Sequence, residues 1–142
     1  MNFKSIFFGF LAGPLLSSIV GSINSYLGIT IISKLFSTLT AASKWITGYL
    51  LVSHFLINAG FAILGGYIAG RIAKQNEYLH AGVVSICGVL ANIGIIMLTL
   101  KYFNFPIIET IITIIKLLLT TLPYAMVGAH LARVKNIKTA PN

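Results

Sequence analysis

The sequence predicts an all-α integral membrane protein, a four-helix bundle in an up-down-up-down arrangement. Composition is the first observation behind this prediction: 57% of the 142 residues are hydrophobic, 8% are charged, and the mean hydropathy is +0.94. Soluble domains carry about 25% charged residues, and disordered chains combine high charge with few apolar residues, so both classes are excluded. The second observation is that the charges divide the chain into long apolar stretches. The length allows one domain over residues 1–142.

The positive net charge does not indicate a nucleic-acid partner. Ten Lys and Arg against two Asp and Glu give a net charge of +8, but nucleic-acid-binding domains gather their cations on one patch. Here the cations lie between apolar stretches, at the places where a chain would leave a bilayer. The partner that the sequence predicts is therefore the lipid bilayer.

Charge-free stretches define the predicted helices. Residues 5–33, 45–70 and 78–100 contain no charged residue. A bilayer core of about 30 Å is crossed by about 20 apolar residues in a helix, so each stretch allows one crossing. A fourth apolar stretch contains Glu109 and Lys116. Helix is the expected state because an unpaired strand edge leaves backbone groups unsatisfied in lipid. The predicted helices cover about residues 5–31, 46–71, 79–100 and 107–132.

The connections between these helices also carry information. Residues 73–78 form a short polar turn, which predicts a tight antiparallel hairpin of the second and third helices. Residues 101–106 form another turn, in which Pro106 is placed to open the fourth helix. Residues 32–45 are amphipathic, and we expect them to lie flat on the membrane surface before Trp45 anchors the next crossing.

The distribution of cations predicts the orientation, because cytoplasmic loops are enriched in Lys and Arg. With four crossings, the side that holds both termini collects more cations than the opposite side: Lys4, Arg71, Lys74, Arg133, Lys135 and Lys138 against Lys34, Lys44 and Lys101. We therefore expect a multi-pass protein of the inner membrane with both termini in the cytoplasm. The alternative is that the first stretch is a cleaved secretory signal, with Val20 and Ser22 before the cut. A retained helix is preferred because the apolar run continues beyond any such cut.

Small residues recur at intervals of four in three of the predicted helices. Because membrane helices associate by close packing rather than by hydrophobic exclusion, these stripes predict a compact bundle whose stripes face one another. The alternative is that a second copy or a partner helix grips one stripe. The stripes are Gly9, Gly13, Ser17 and Gly21, then Asn58, Ala62, Gly66 and Gly70, and then Ala81, Ser85, Gly88 and Asn92. Two prolines, Pro14 and Pro123, are expected to bend their helices.

The fourth helix carries a polar face within the membrane. Its members share one side of the helix and are Glu109, Thr113, Lys116, Thr120 and Tyr124. A Lys near the bilayer centre costs about 3 kcal/mol or more to insert, so we expect Lys116 to face the bundle or water. The side chains that could partner it there are Glu109, His54, Asn58 and Asn92.

This predicted polar site has two interpretations. In the functional one, Lys116 is a binding or proton-relay site with His54 as a titrating neighbour. In the structural one, a buried polar network fixes helix register, or the Lys side chain extends to the membrane interface. The structural interpretation is preferred, because channels and transporters usually place more polar groups in the membrane than this chain does.

Nothing in the sequence indicates an enzyme, a cofactor or a metal site. The three His and the one Cys have no metal-binding spacing, and no catalytic triad or phosphate loop is present. His80 and His130 lie near the same ends of their helices, where an interfacial role is favoured over haem ligation. Cys87 is the only cysteine and cannot form an internal disulfide. We expect no catalytic residue.

One stretch carries a resemblance to known proteins. Residues 65–73 read Gly-Gly-Tyr-Ile-Ala-Gly-Arg-Ile-Ala, and residues 79–82 read Leu-His-Ala-Gly. This pattern resembles the hairpin of small bacterial four-helix membrane proteins that are uncharacterised, over about residues 58–92. The resemblance implies the four-crossing architecture and a bacterial source, and it implies no activity.

The role that these observations favour is a non-enzymatic membrane component, alone or as a partner subunit. A small oligomeric transporter or channel that uses the Lys116, Glu109 and His54 face is the alternative. A membrane-lytic role, as in phage holins, is a third interpretation, and the ordered stripes argue against it.

Overall fold

The computed structural model describes residues 2–36, 38–100 and 107–138, with backbone alone at 39–41, 95–100, 107–110 and 113. These ranges are mostly helical and contain no strand. The elements are α1 (Phe3–Phe10), a π-helical segment (Leu11–Leu15), α2 (Leu16–Leu35), α3 (Leu39–Ala73), α4 (Glu77–Leu100) and α5 (Ile107–Lys138). Because α1, the π-helical segment and α2 are continuous, they are together called the first helix. All four resulting helices are long and apolar enough to cross a membrane, as the sequence predicts.

Each helix extends beyond its apolar stretch. The segment 32–45, expected to lie on the membrane surface, is instead the end of α2 and the beginning of α3, with Phe36 after the one and Thr38 before the other. Phe36 interrupts the helix with extended backbone angles, φ −110° and ψ 128°. The surface-segment prediction is wrong because hydropathy locates the apolar part of a helix, whereas the hydrogen-bond ladder continues into its polar ends. The predicted turn at residues 101–106, with Pro106, lies outside the described residues.

The two prolines have different local structures. Pro14 lies inside the π-helical segment Leu11–Leu15. Proline cannot donate a backbone hydrogen bond and clashes with the preceding turn, and a local π-helical widening is one way in which a helix accommodates that clash. Pro123 lies inside α5, which remains α-helical around it. The first helix therefore changes its winding at Pro14.

Helix α3 is the centre of the bundle. It packs against α1, α2, α4 and α5, whereas α5 packs only on α3 and α4 within the described residues. In that same part of the chain, α2 rests on α3 and the π-helical segment alone, and it does not touch α4 or α5. The first helix is thus part of the bundle through α1 and leaves it along α2, beyond Pro14.

The core consists of small side chains. Among the described residues, the largest fully buried ones are Val84 and Ser5, and the other fully buried residues in the core are alanines: Ala69, Ala81, Ala125, Ala129 and Ala132. Most large aliphatic and aromatic residues are exposed on the outside, Leu51 and Leu119 among them. This inverse pattern is the one that a bundle in lipid requires, because lipid solvates the large apolar groups and close packing holds the helices together.

A short turn joins α3 to α4, as predicted for residues 73–78. Lys74 and Asn76 both have left-handed backbone angles, φ 57° and φ 53°. The Lys74 N–H donates to the Gly70 carbonyl oxygen at 3.1 Å and closes the end of α3. Asn tolerates this conformation better than most residues, and the turn is tight enough to bring Glu77 beside Gly70.

Candidate functional site

Close backbone approaches hold α1 against α3. A Cβ placed on Gly9 would lie 2.9 Å from the Ala69 Cβ, and one on Gly13 would lie 3.1 Å from the Gly65 Cα. Neither position has room for a side chain without a shift of its neighbours, so α1 and the π-helical segment both meet α3 through glycine and alanine. Gly65 takes part in this contact although it lies outside the predicted stripes.

A second face of α3 meets α5 in the same way. A Cβ on Gly66 would collide with the Ala125 carbonyl oxygen, and one on Gly70 would lie 2.7 Å from the Ala132 Cβ. In return, Gly128 of α5 sits against the Ile63 carbonyl oxygen. Helix α3 thus contributes one small-residue face to the first helix and another to α5, and both are occupied within one chain.

The two other glycines of the predicted small-residue stripes, Gly88 and Gly21, have different surroundings. Gly88 of α4 lies beneath the Pro14 ring, where a Cβ would be 2.5 Å from the Pro14 Cγ. A Cβ on Gly21 would meet nothing within 4 Å. The expectation that Gly21 packs against another helix is therefore wrong. Among the described residues, α2 contacts neither α4 nor α5.

A row of hydrogen bonds, here called the polar seam, joins α2 to α3. The Ser17 hydroxyl donates to the Asn58 Oδ1 at 2.6 Å, and Ser25 Oγ lies 2.7 Å from His54 Nε2. Further along, the Asn24 Nδ2 donates to Ser53 Oγ at 2.9 Å, and the Tyr49 hydroxyl donates to Asn24 Oδ1 at 2.6 Å. Polar side chains therefore replace the glycine contacts that hold α1.

The sequence contains a pattern that indicates this seam, but it overlaps with the small-residue stripes. The polar site that the sequence predicts includes Asn58 and His54, but not Asn24, Ser25 and Tyr49. The signal is that α2 carries polar residues at intervals of three and four, and that the facing part of α3 carries a matching set. Spacing alone does not say which two polar faces meet, because that depends on how the helices are rotated.

An open groove, here called the polar groove, adjoins the seam and separates α2 from α4. Its polar lining residues come from three helices and are Ser17, Ser18, Ser22, Ser25, His54, Asn58 and Asn92. The inner end reaches the Pro14–Gly88 contact and is closed by Leu117 and Thr121 of α5. Asn92 donates from its Nδ2 to the Gly88 carbonyl oxygen at 2.9 Å. No charged residue lines this groove in the described part of the chain.

Lys116 is not part of the polar groove. Its side chain is exposed, and within the described residues it makes no hydrogen bond or ion pair. Leu117 and Thr121 occupy the inward face of α5, and one residue corresponds to about 100° around a helix, so Lys116 points away from the bundle. The expectation that it meets His54, Asn58 or Asn92 is therefore wrong. The side chain of Glu109 lies outside the described residues.

The polar face that the sequence predicts on α5 lies on an outer flank. Tyr124 contacts the Phe55 ring edge-on at 6.0 Å between centroids, and Thr120 donates to the Lys116 carbonyl oxygen at 2.8 Å. Thr120 thus satisfies its hydroxyl within its own helix. The single site that the sequence predicts therefore divides into the polar groove, with His54, and an exposed flank, with Lys116.

The other end of the bundle carries a hydrogen-bonded group, here called the terminal cluster: Asn2, Arg71, Glu77, His80 and Asn136. Arg71 donates to Asn136 Oδ1 at 2.7 Å, and the Asn136 Nδ2 donates to Glu77 Oε1 at 3.2 Å. The Asn2 backbone N–H donates to His80 Nε2 at 2.9 Å, while His80 Nδ1 donates to the Asn76 carbonyl oxygen at 3.0 Å. These bonds tie all four helices together.

The terminal cluster uses its polar groups for structure. His80 and Glu77 are buried, at 4% and 8% exposure; both His80 ring nitrogens and the Glu77 Oε1 have hydrogen-bond partners. His130 pairs with the Tyr78 hydroxyl at 2.8 Å, so the two histidines have separate partners and do not face a common ligand. Within the described residues, no group of three His, Cys, Asp or Glu side chains is placed to hold a metal ion.

Comparisons with protein-family models, curated proteins and solved structures find no match to this chain.

Proposed function

We propose that this chain is a non-enzymatic, multi-pass subunit of a membrane assembly. It crosses the inner membrane four times in an up-down-up-down bundle with both termini in the cytoplasm. Four apolar helices and the excess of cations at the Arg71 end support this placement. The observation that carries the subunit role is the exposed Lys116 on an apolar helix, whose side chain has no hydrogen bond or ion pair among the described residues.

The charges of the chain leave Lys116 without an evident internal counter-ion. The sequence has two acidic residues, and one of them, Glu77, is buried in the terminal cluster with Asn136. The other, Glu109, is seven positions away, which is about 10 Å along a helix. A second chain can supply the missing polar partner at the depth of Lys116, and burying that pair would favour association.

The experiment is a comparison of purified wild type and Lys116→Leu in nanodiscs by light scattering, with affinity capture of partners. We expect the wild type to run as more than one chain or to retain a specific partner. Lys116→Leu should lose that association and keep its helical circular dichroism. Lys34→Leu, which removes an exposed cation at the end of α2, is the matched control and should behave as wild type.

A monomeric wild type without a captured partner would overturn the subunit role. The Lys116 side chain would then extend along the helix and place its charge at the membrane interface. Recovery of the protein in the soluble fraction after cell lysis would contradict the membrane placement itself.

A second candidate function is a small oligomeric transporter or channel, which the polar groove favours. The groove gathers hydroxyl, amide and imidazole groups between helices that are long and apolar enough to cross a membrane, as a solute path would. Solute flux into proteoliposomes tests it: a transporter that uses the groove should fold as His54→Phe and lose flux, whereas Lys116→Leu, which lies outside the groove, should keep its flux. A structural subunit should show no flux as wild type and should keep or gain stability as Lys116→Leu.

A further inference from the structure

The serine hydroxyls of the polar groove all act as donors within the chain. The Ser18 hydroxyl donates to the Pro14 carbonyl oxygen at 3.0 Å, and the Ser22 hydroxyl donates to the Ser18 carbonyl oxygen at 2.9 Å. The Ser17 hydroxyl donates to Asn58 Oδ1. A hydroxyl has one hydrogen and two lone pairs, so each of these oxygens can accept a further hydrogen bond. The α2 wall of the groove is therefore a surface of hydrogen-bond acceptors.

The groove residues of α3 and α4 add acceptors to this surface. The Ser25 hydroxyl donates to the Gly21 carbonyl oxygen at 2.7 Å, so His54 Nε2 is the donor in its 2.7 Å contact with Ser25 Oγ. A neutral imidazole that donates from one ring nitrogen accepts at the other, which leaves His54 Nδ1 as an acceptor. Asn92 donates to Gly88 through its amide nitrogen and keeps its Oδ1. A group with several donors and no acceptor complements this lining.

A lysine ammonium is such a group, because it has three donors and no acceptor. Lys116 carries one on the apolar helix α5, where its side chain has no hydrogen bond or ion pair among the described residues. Hydrogen bonds from a charged donor are about twice as strong as those between neutral groups, and no described cation lines the groove to repel the ammonium. The open space of the groove is about 240 Å³, several times the share of one water molecule in the liquid, about 30 Å³.

Lys116 and the groove lie at the same height along the bundle but on different sides of it. Leu117, which follows Lys116 in the chain, lines the inner end of the groove together with Ser17. The groove separates α2 from α4, whereas the flank of α5 that carries Lys116 continues to Tyr124, which contacts Phe55 of α3. Lys116 therefore does not face the groove of its own chain. It is level with the groove of a second copy that stands beside it in the same orientation.

We propose that Lys116 of one copy of this chain inserts into the polar groove of a second copy, where its ammonium donates to the groove serines and to His54. This inference names the second chain of the subunit role proposed above, and it rests on that role. The two surfaces differ, so the contact runs head to tail. Repeated contacts of this kind close into a ring when the rotation between neighbouring copies allows it.

The test is a complementation experiment with two differently tagged full-length copies, co-expressed and purified in detergent. One copy carries Lys116→Leu and keeps its groove. The other carries Ser22→Leu, which fills the groove with an apolar side chain, and keeps its lysine. Each variant alone lacks one half of every contact and should run as a monomer in light scattering. Together they retain one intact contact, so they should co-purify as a one-to-one pair, about tenfold or more above the capture of either variant by itself.

Matched variants separate the contact from general effects on the fold. Ser33 lies on α2 outside the groove and bonds its own helix backbone as Ser22 does, so Ser33→Leu should associate with itself as wild type does. Lys34→Leu, which removes a cation next to it, should do the same. His54→Phe is a second groove variant that should also pair with Lys116→Leu, and it decides the result if Ser22→Leu loses its helical circular dichroism.

The outcomes distinguish this inference from the subunit role. Self-association of Lys116→Leu or of both groove variants at the wild-type level would overturn the head-to-tail contact, and so would failure of the variants to pair while wild type self-associates. A wild type that retains a different protein and no second copy would overturn it as well, but would leave the subunit role in place. A monomeric wild type without a captured partner would overturn both.

Discussion

Gly60 and Gly66 lie on the same helix with opposite surroundings, and they provide a matched test of the packing. A Cβ at Gly66 would collide with the Ala125 carbonyl oxygen, whereas one at Gly60 would meet nothing within 4 Å. Gly66→Ala should lower stability by about 1–3 kcal/mol, the usual cost of overpacking. Gly60→Ala should leave it unchanged or raise it by up to about 1 kcal/mol, because alanine is the better helix former. Thermal unfolding in detergent measures both, and equal melting temperatures would contradict the α3–α5 contact.

Asn136 is the residue on which the terminal cluster depends most. It links Arg71 to Glu77 and also donates to the Gly70 carbonyl oxygen. Asn136→Ala should destabilise the protein by about 1–3 kcal/mol, because the buried Glu77 carboxylate loses a donor. The neighbouring Ile137 is 66% exposed, so Ile137→Ala is the control and should change the melting temperature little. A larger loss in the control than in Asn136→Ala would contradict this role.

At the residue scale, sequence patterns predict which residues pack closely better than they predict toward which neighbour a side chain points. The interval of four placed Gly9, Gly13, Gly66 and Gly70 where close approaches occur, because an interval of four is a property of the helix alone. The direction of Lys116 depends on which face of α5 the alanines occupy. That choice is made by the packing of α5 on α3, which no local pattern encodes.

At the scale of elements, the polar seam determines how α2 is attached. The Ser17–Asn58 bond at 2.6 Å is its most buried member. A double-mutant cycle of Ser17→Ala and Asn58→Ala should give a coupling free energy of about 0.6 kcal/mol and at most about 2 kcal/mol, the range for hydrogen bonds between membrane helices. Ser33 and Asn58 belong to no common contact, so the cycle of Ser33→Ala with Asn58→Ala should give a value near zero. Zero coupling in the first cycle would remove Ser17 from the seam.

The helices themselves were predictable from charge-free stretches, and their ends were not. Lys34 lies within the last turn of α2, where a cation interacts favourably with the helix dipole, so a charge that marks the end of a hydrophobic stretch need not end a helix. The sequence indicates the π-helical segment only as a bend at Pro14, because a proline inside a helix predicts a distortion but not which winding the helix takes around it.

At the scale of the whole molecule, all four helices are in contact at one end of the bundle, whereas α2 and α4 are apart at the other end. The terminal cluster and the glycine contacts tie the four helices together near Arg71, whereas α2 and α4 separate beyond Pro14. Composition predicted a membrane bundle because it constrains the solvent of the whole chain. It did not predict this asymmetry, which arises from the change of the first helix from glycine contacts to serine contacts.

The contacts of the first helix bear on whether this helix is retained, and therefore on how many times the chain crosses the membrane. A cleaved signal would remove Asn2, Gly9 and Gly13, and with them the contacts of α1 on α3 and α4, so a retained helix and an even number of crossings are favoured. In a Cys87→Ala background, Lys34→Cys should react with a membrane-impermeant maleimide on intact cells. Lys138→Cys should react only after permeabilisation, because positive ends remain in the cytoplasm. The reverse pattern would invert the topology. An intact mass that lacks the first 20 or so residues would restore the signal-peptide interpretation, in which both labelling results stay the same because cleavage leaves the other three crossings unchanged.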